Sequence, residues 1–237
     1  LIGVPATWDA IIGNDTANGS TEKMTICAWI YKVGNGGFGT GRIVDFGDSD
    51  ISMFTDAQNE LRFTARWSSG ISYWMGEHQF ENNVWNHVAV TYDATDRTNI
   101  PKMYINGVET VVTSTSGAPG AGATYSGIQI DADSCFIGNS ADKDVAFQGN
   151  LADIAVWNTI LAEEEIQAIF NASLLSEAHG PGTRHDELPG FHKVHRNNLN
   201  RKYICSTEEV PVYAGPYLHN NNAFMYSANS NIEIGSP

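Results

Sequence analysis

Three Asp-x-Asp pairs stand in turn-like stretches of the chain: Asp48/Asp50, Asp131/Asp133 and Asp142/Asp144. A spacing of two puts both carboxylates on one side of an extended backbone. That arrangement suits a hard cation such as Ca²⁺, which takes six to eight oxygen ligands. Aspartate also caps local backbone in turns without any metal. A second group is aromatic: Trp67, Tyr73 and Trp74 flank the turn Ser68-Ser69-Gly70. Leu61, Phe63, Ala65 and Trp67 fall on one face of a period-two strand, which assigns Trp67 to the core. Trp74 lies opposite Ile71, Tyr73 and Met75, so Trp74, beside Tyr73, is the expected exposed platform for stacking on a sugar ring. Catalysis finds no comparable constellation. The only Glu-rich run, Glu163-Glu164-Glu165, sits where a helix would begin and where the helix dipole favours acidic groups. A glycosidase needs two carboxylates facing one another across a cleft, and no Glu-x-Asp-x-Glu strand motif is present. The chain reads as a non-enzyme.

The elements that must position these residues are short strands. Met24 to Tyr31, Arg42 to Phe46, Ile51 to Phe54, Leu61 to Trp67 and Val84 to Tyr92 are alternating or β-branched runs separated by turn chemistry. Lys102 to Ile105, then Asn106-Gly107, then Val108 to Thr113 form a hairpin signal, because Asn-Gly supplies the positive φ angles of a type I′ turn. Cys135 to Gly138 and Phe147 to Trp157 complete the set. One helix is expected over 161–170, carried by Leu161, Ile166, Ile169 and Phe170. Gly34-Asn35-Gly36-Gly37 and residues 114–127 read as loops. Many short strands with one helix make an all-β sandwich rather than an α/β fold.

Composition narrows the partners. The 237 residues carry a net charge of −14, with 13 Lys and Arg against 27 Asp and Glu. Binding nucleic acid needs clustered basic residues, and an anionic membrane surface attracts them, so neither is an expected partner. No apolar run is long enough to span a bilayer. Cys27 and Cys135 sit inside apolar strand patterns, where a free cysteine acts as a small core residue. The chain opens Leu1-Ile2-Gly3, without Met, and is expected to be a processed product or part of a longer protein. Residues 1–175 are assigned to the sandwich. Residues 176–237 hold five of the seven His, five Pro and little periodicity, and are expected to form an extended arm lying on other surfaces.

Two stretches carry a family resemblance. Thr25-Ile26-Cys27-Ala28-Trp29-Ile30, Val84-Trp85-Asn86-His87-Val88-Ala89-Val90-Thr91-Tyr92-Asp93 and Met103-Tyr104-Ile105-Asn106-Gly107 resemble the strand series of laminin-G-like domains. Phe136-Ile137-Gly138 and Phe147 to Asn158, leading into Leu161 to Phe170, are similar to the closing segment of pentraxins. The resemblance implies a concanavalin-A-like jelly roll of two antiparallel sheets, often with Ca²⁺ at a rim. It places Asp48, Asp50 and Asp142 as the expected metal ligands, with Asp142 alone standing for an acidic cluster found there in pentraxins. It also implies that the pentraxin disulfide at Cys27 is absent, because His87-Val88-Ala89 occupies the partner's place. Asp186 to Asn198 resembles segments of structural proteins of marine phage virions.

Two functions from different classes follow. One is a non-catalytic extracellular recognition or adhesion module that binds a glycan or a protein surface through Tyr73 and Trp74, with Ca²⁺ as cofactor. The other is a structural or decoration subunit of a virion or other extracellular assembly, joined to copies of itself or other subunits through the C-terminal arm.

Overall fold

In a computed structural model the described residues are 5–47, 49–129, 135–177 and 224–226, and they form two antiparallel six-stranded sheets packed face to face. The strands are β1 (Lys23–Lys32), β2 (Thr40–Phe46), β3 (Ile51–Asp56), β4 (Glu60–Trp67), β5 (Gly70–Gln79), β6 (Trp85–Asp93), β7 (Lys102–Ile105), β8 (Val108–Thr110), β9 (Val112–Ser116), β10 (Phe136–Ile137), β11 (Gly149–Trp157) and β12 (Phe224–Tyr226). One sheet has the order β12-β11-β1-β6-β7-β8, and the other the order β10-β2-β3-β4-β5-β9. Met24, Ile26, Ala28 and Ile30 point between the sheets and meet Val44, Met53, Phe63 and Trp74 from the facing one. This is the all-β jelly-roll class that the alternating pattern calls for.

The other face of β1 is buried as well. Cys27 joins Ala89, Tyr104, Ala155 and Trp157 beneath the helix α2 (Glu163–Glu177), whose Ile166 and Ile169 cover them with Leu161. Trp29 stacks on Phe170 of that helix at 5.8 Å. With both faces covered, β1 reads as a continuous apolar run rather than an alternating one. The hairpin between β7 and β8 turns on Asn106 and Gly107 at φ 51° and 78°, as a type I′ turn requires. Gly107 also lets α2 approach: a Cβ there would stand 3.1 Å from the Phe170 ring.

Three sequence expectations need correction. A first helix, α1 (Pro5–Ile12), precedes the sandwich, with Trp8 and Ile12 buried in the main core and Trp8 against Phe46 at 4.8 Å. Helix α2 begins at Glu163 rather than 161 and runs to Glu177, past the expected end at 170. Its start is fixed by a side-chain cap, Glu165 Oε2 accepting the Ala162 N–H at 2.8 Å. The stretch Val108–Thr113 is not one strand, because Val111 carries the chain from one sheet to the other. The expected extended arm lies outside the described residues except for the end of α2 and β12. The backbone of Phe224–Tyr226 pairs with Val156–Ile154 at the edge of β11.

Candidate functional site

Trp74 is not an exposed platform. It is buried, only 2% exposed, stacked on Phe63 at 6.0 Å and tilted against Tyr92 at 5.1 Å. The reason is strand register. The two-residue connection Ser68-Ser69 pairs Trp67 with Gly70, Ala65 with Ser72 and Phe63 with Trp74. Directly paired residues share a face, so the inward face of β4 dictates an inward Trp74. Trp67 lies in the core as expected, 3% exposed. Tyr73 faces outward and is half-buried between Thr64 and Ser116 of the neighbouring strands. The pair Tyr73/Trp74 is therefore split across the two faces of the sheet.

Of the three expected metal ligands the structure describes two. Asp48 lies outside the described residues. Asp50, 1% exposed, forms an ion pair with Arg66 and accepts the Gln129 N–H at 2.7 Å. Asp142 is exposed on the connection after β10, which bonds to the Gly37 and Arg42 end of β2. Asp50 follows Phe46 at the opposite end, about 3.3 Å further per strand residue. Among the described residues no group of three His, Cys, Asp or Glu is placed to hold a metal ion. Cys27 and Cys135 are free and buried, and burial pushes the Cys135 thiol up to about 12.

What the structure does assemble lies at the other rim, on the loop between β1 and β2. Phe38 is 84% exposed, the most exposed large apolar side chain among the described residues. It sits between Gly37 and Gly39 with φ 50°, a left-handed conformation that a bulky L-residue adopts only under constraint. The constraint is visible. Gly36 and Gly37 press against the backbone of Asp144 to Ala146 so closely that a Cβ would fall 2.5 Å and 1.7 Å from carbonyl oxygens. The Gly37 N–H donates to the Ala146 carbonyl at 3.3 Å. The ring is held outward by a braced backbone rather than waved on a slack loop.

The same connection and the turn between β3 and β4 carry two amides set by one buried cation. Lys32, fully buried, donates to Asn35 Oδ1 at 3.3 Å, to Asn59 Oδ1 at 2.7 Å and to the Asp56 carbonyl at 2.6 Å. Its ammonium also lies 5.8 Å from the Phe80 ring. Burial pulls the Lys32 amine below its ordinary range, while Asp56 opposes that shift. An ammonium only donates, so both amides must turn oxygen toward it and their Nδ2 groups away. Asn35 is exposed and Asn59 half-buried, in the turn after Ala57, whose side chain a Cβ on Gly39 would meet at 3.8 Å. The rim thus carries an exposed aromatic ring three residues along the connection from Asn35, and two amides whose N–H donors are oriented by Lys32. Such a set stacks on the C–H face of a sugar and donates to its hydroxyl oxygens. The sequence did contain a signal for this site: an aromatic flanked by glycines, Gly37-Phe38-Gly39, has no strand to bury it.

With the sheet order and this rim established, the family can be stated. The family model described as the concanavalin A-like lectin/glucanases superfamily matches residues 8–167, two-thirds of the chain. The chain belongs to this superfamily. Its match covers α1 from Trp8 onward, both sheets apart from β12, and the start of α2. A search of curated proteins finds no match. Among solved structures, a putative carbohydrate binding protein from Bacteroides ovatus is similar at 17% identity and TM-score 0.45, over 61% of this chain and 40% of that one. The chain thus spans less than half of that protein. A heptameric SAP-like pentraxin from Limulus polyphemus is similar at 19% identity and TM-score 0.44, over 63% and 70%. The CBM40 of the Ruminococcus gnavus IT-sialidase is similar at 13% identity and TM-score 0.46, over 62% and 82%. The superfamily assignment does not rest on these distant likenesses.

Proposed function

We propose that this superfamily member is a non-catalytic extracellular recognition module that binds a glycan at the rim formed by Phe38, Asn35 and Asn59. The observation that carries the reading is Phe38. A buried aromatic needs no ligand to explain it, but a ring that is 84% exposed at φ 50° costs stability twice, in apolar exposure and in backbone strain. Strain held by a braced loop is characteristic of binding sites, where it orients a group before the ligand arrives. The non-catalytic part rests on the acidic groups. Glu163 accepts from Gln167 at 3.1 Å and Glu165 caps the helix start, so both have structural work.

The test is binding of the full chain to immobilised glycans, comparing wild type with Phe38→Ala, Asn59→Ala and Tyr73→Ala. Loss in the first two and retention in the third supports the rim. Loss only in Tyr73→Ala moves the site to the outer face of β4 and β5. The same comparison in EDTA tests the calcium expectation for Asp48, Asp50 and Asp142, since a calcium-dependent module loses binding there.

One observation favours the second reading, a structural subunit. Strand β12 comes from near the chain's end and adds to the edge of β11, and strand addition is a common way of joining subunits. Native mass separates the two: a monomer fits a recognition module and a large particle fits a subunit.

A further inference from the structure

We infer that the ligand at the Phe38 rim is a neutral glycan, one whose contacts are hydroxyls rather than a carboxylate or sulfate. The inference rests on the rim reading and adds the chemical class. Recognising an anionic sugar takes an available guanidinium or ammonium, and among the described residues every cation near the rim but one is already committed. Lys32 is buried and spends its donors on Asn35, Asn59 and the Asp56 carbonyl. Arg62 is paired with Asp56 and with Glu60 at 3.3 Å. Arg42 donates to Asp45 and Ser49, each at 3.0 Å, with its guanidinium 4.2 Å from the Phe54 ring. That leaves Lys143.

Against Lys143 stand exposed carboxylates on the same connections. Asp142 and Asp144 flank it, and Asp144 lies where its backbone touches Gly37. Glu81 is exposed just before Asn83, whose N–H bonds to the Lys32 carbonyl. The whole chain adds its net charge of −14. An acidic sugar entering here meets like charges, and among the described residues no free pair of cationic donors to hold it. A neutral sugar meets a complementary set: its hydroxyls accept from the Asn35 and Asn59 Nδ2 groups and donate to the carboxylates, while its C–H face lies on Phe38.

The experiment uses the full chain and matched ligand pairs. Lactose, N-acetyllactosamine and chitobiose are immobilised alongside sialylated or sulfated versions of the same sugars, and binding is measured for wild type, Phe38→Ala and Lys143→Ala. We expect saturable binding to a neutral member, at least ten-fold weaker binding to its acidic counterpart, and at least ten-fold loss with Phe38→Ala. Lys143→Ala should leave neutral binding unchanged. Preference for the acidic member, lost in both Phe38→Ala and Lys143→Ala, overturns the neutral class while leaving the rim in place. Neutral binding that survives Phe38→Ala overturns the rim reading itself. Failure to bind any member, neutral or acidic, overturns both.

Discussion

Replacing His87 with leucine should change how stability depends on pH, by an amount that follows from where the imidazole sits. His87 is 1% exposed on β6, edge-on to Trp29 at 5.5 Å and 6.0 Å from the Phe170 ring of α2. Its Nδ1 is buried without a hydrogen-bond partner, and burial drives its pKa down to about 3 from the ordinary 6.5. The folded state thus holds His87 neutral, while the unfolded chain takes up a proton below pH 6.5. A depressed pKa of this kind contributes stability that is complete above 6.5 and is lost as pH falls toward 3. At about 1.4 kcal/mol per pH unit, the loss between pH 7 and 4.5 is about 2–3 kcal/mol. Asp153 acts with the opposite sign. It occupies the bulge where β11 slips against β1, at φ 47°, and burial pushes its carboxyl up to about 6. Its raised pKa favours the folded state in acid, and that contribution is lost as pH rises through 6. By surface area Asp153 is only half-buried, so its contribution is the smaller of the two. The two titrations partly cancel in the wild type, which hides each of them. Urea melts of wild type and His87→Leu at pH 7 and at pH 4.5, followed by tryptophan fluorescence, separate them. The variant should gain about 2–3 kcal/mol relative to wild type on moving to pH 4.5. Asp153→Asn should move the other way. A His87→Leu difference that is the same at both pH values would refute the claim that burial holds this imidazole neutral.

Other consequences can be checked with single substitutions. Trp74→Ala should destabilise by about 3–5 kcal/mol, because it empties the space between Phe63 and Tyr92, whereas outward-facing Tyr73→Ala should cost about 1 kcal/mol or less. Phe38→Asn should leave stability unchanged or raise it by about 1 kcal/mol, since asparagine tolerates the left-handed conformation, yet it should remove glycan binding. A drop in melting temperature with this variant would show that Phe38 is a packing residue. Asp50→Ala should destabilise by about 3 kcal/mol whether or not EDTA is present, because the loss leaves Arg66 without its partner. A melting temperature that rises with Ca²⁺, and no longer does so in Asp48→Ala, would instead return the loop to metal binding.

The sandwich was legible because its signals are local. The apolar run Met24 to Tyr31 and the Asn106-Gly107 turn each name an element without help from the rest of the chain. Helix α1 was overlooked although it carries a proline in its first turn and apolar residues at Trp8, Ile11 and Ile12, spaced for one face. The alternation of β5 taken by itself does not say on which face of the sheet Trp74 lies. The two-residue turn that couples β5 to β4 fixes its face, and that coupling spans two strands. The surroundings of Asp50 were hidden for a related reason. Spacing along the chain says nothing about Arg66, which reaches Asp50 from a neighbouring strand. The Phe38 rim depends on Lys32, Asn35 and Asn59 converging from two connections, and no one-dimensional pattern encodes that meeting.

The central claim, a glycan site at the Phe38 rim, is tested most directly by amide chemical-shift mapping of the isotopically labelled full chain during titration with a bound neutral glycan. The account predicts saturable shifts concentrated at Asn35 to Thr40 and Gln58 to Asn59, absent in Phe38→Ala. Shifts centred on Tyr73 and the outer face of β4 and β5, with residues 35–40 unmoved, would contradict it.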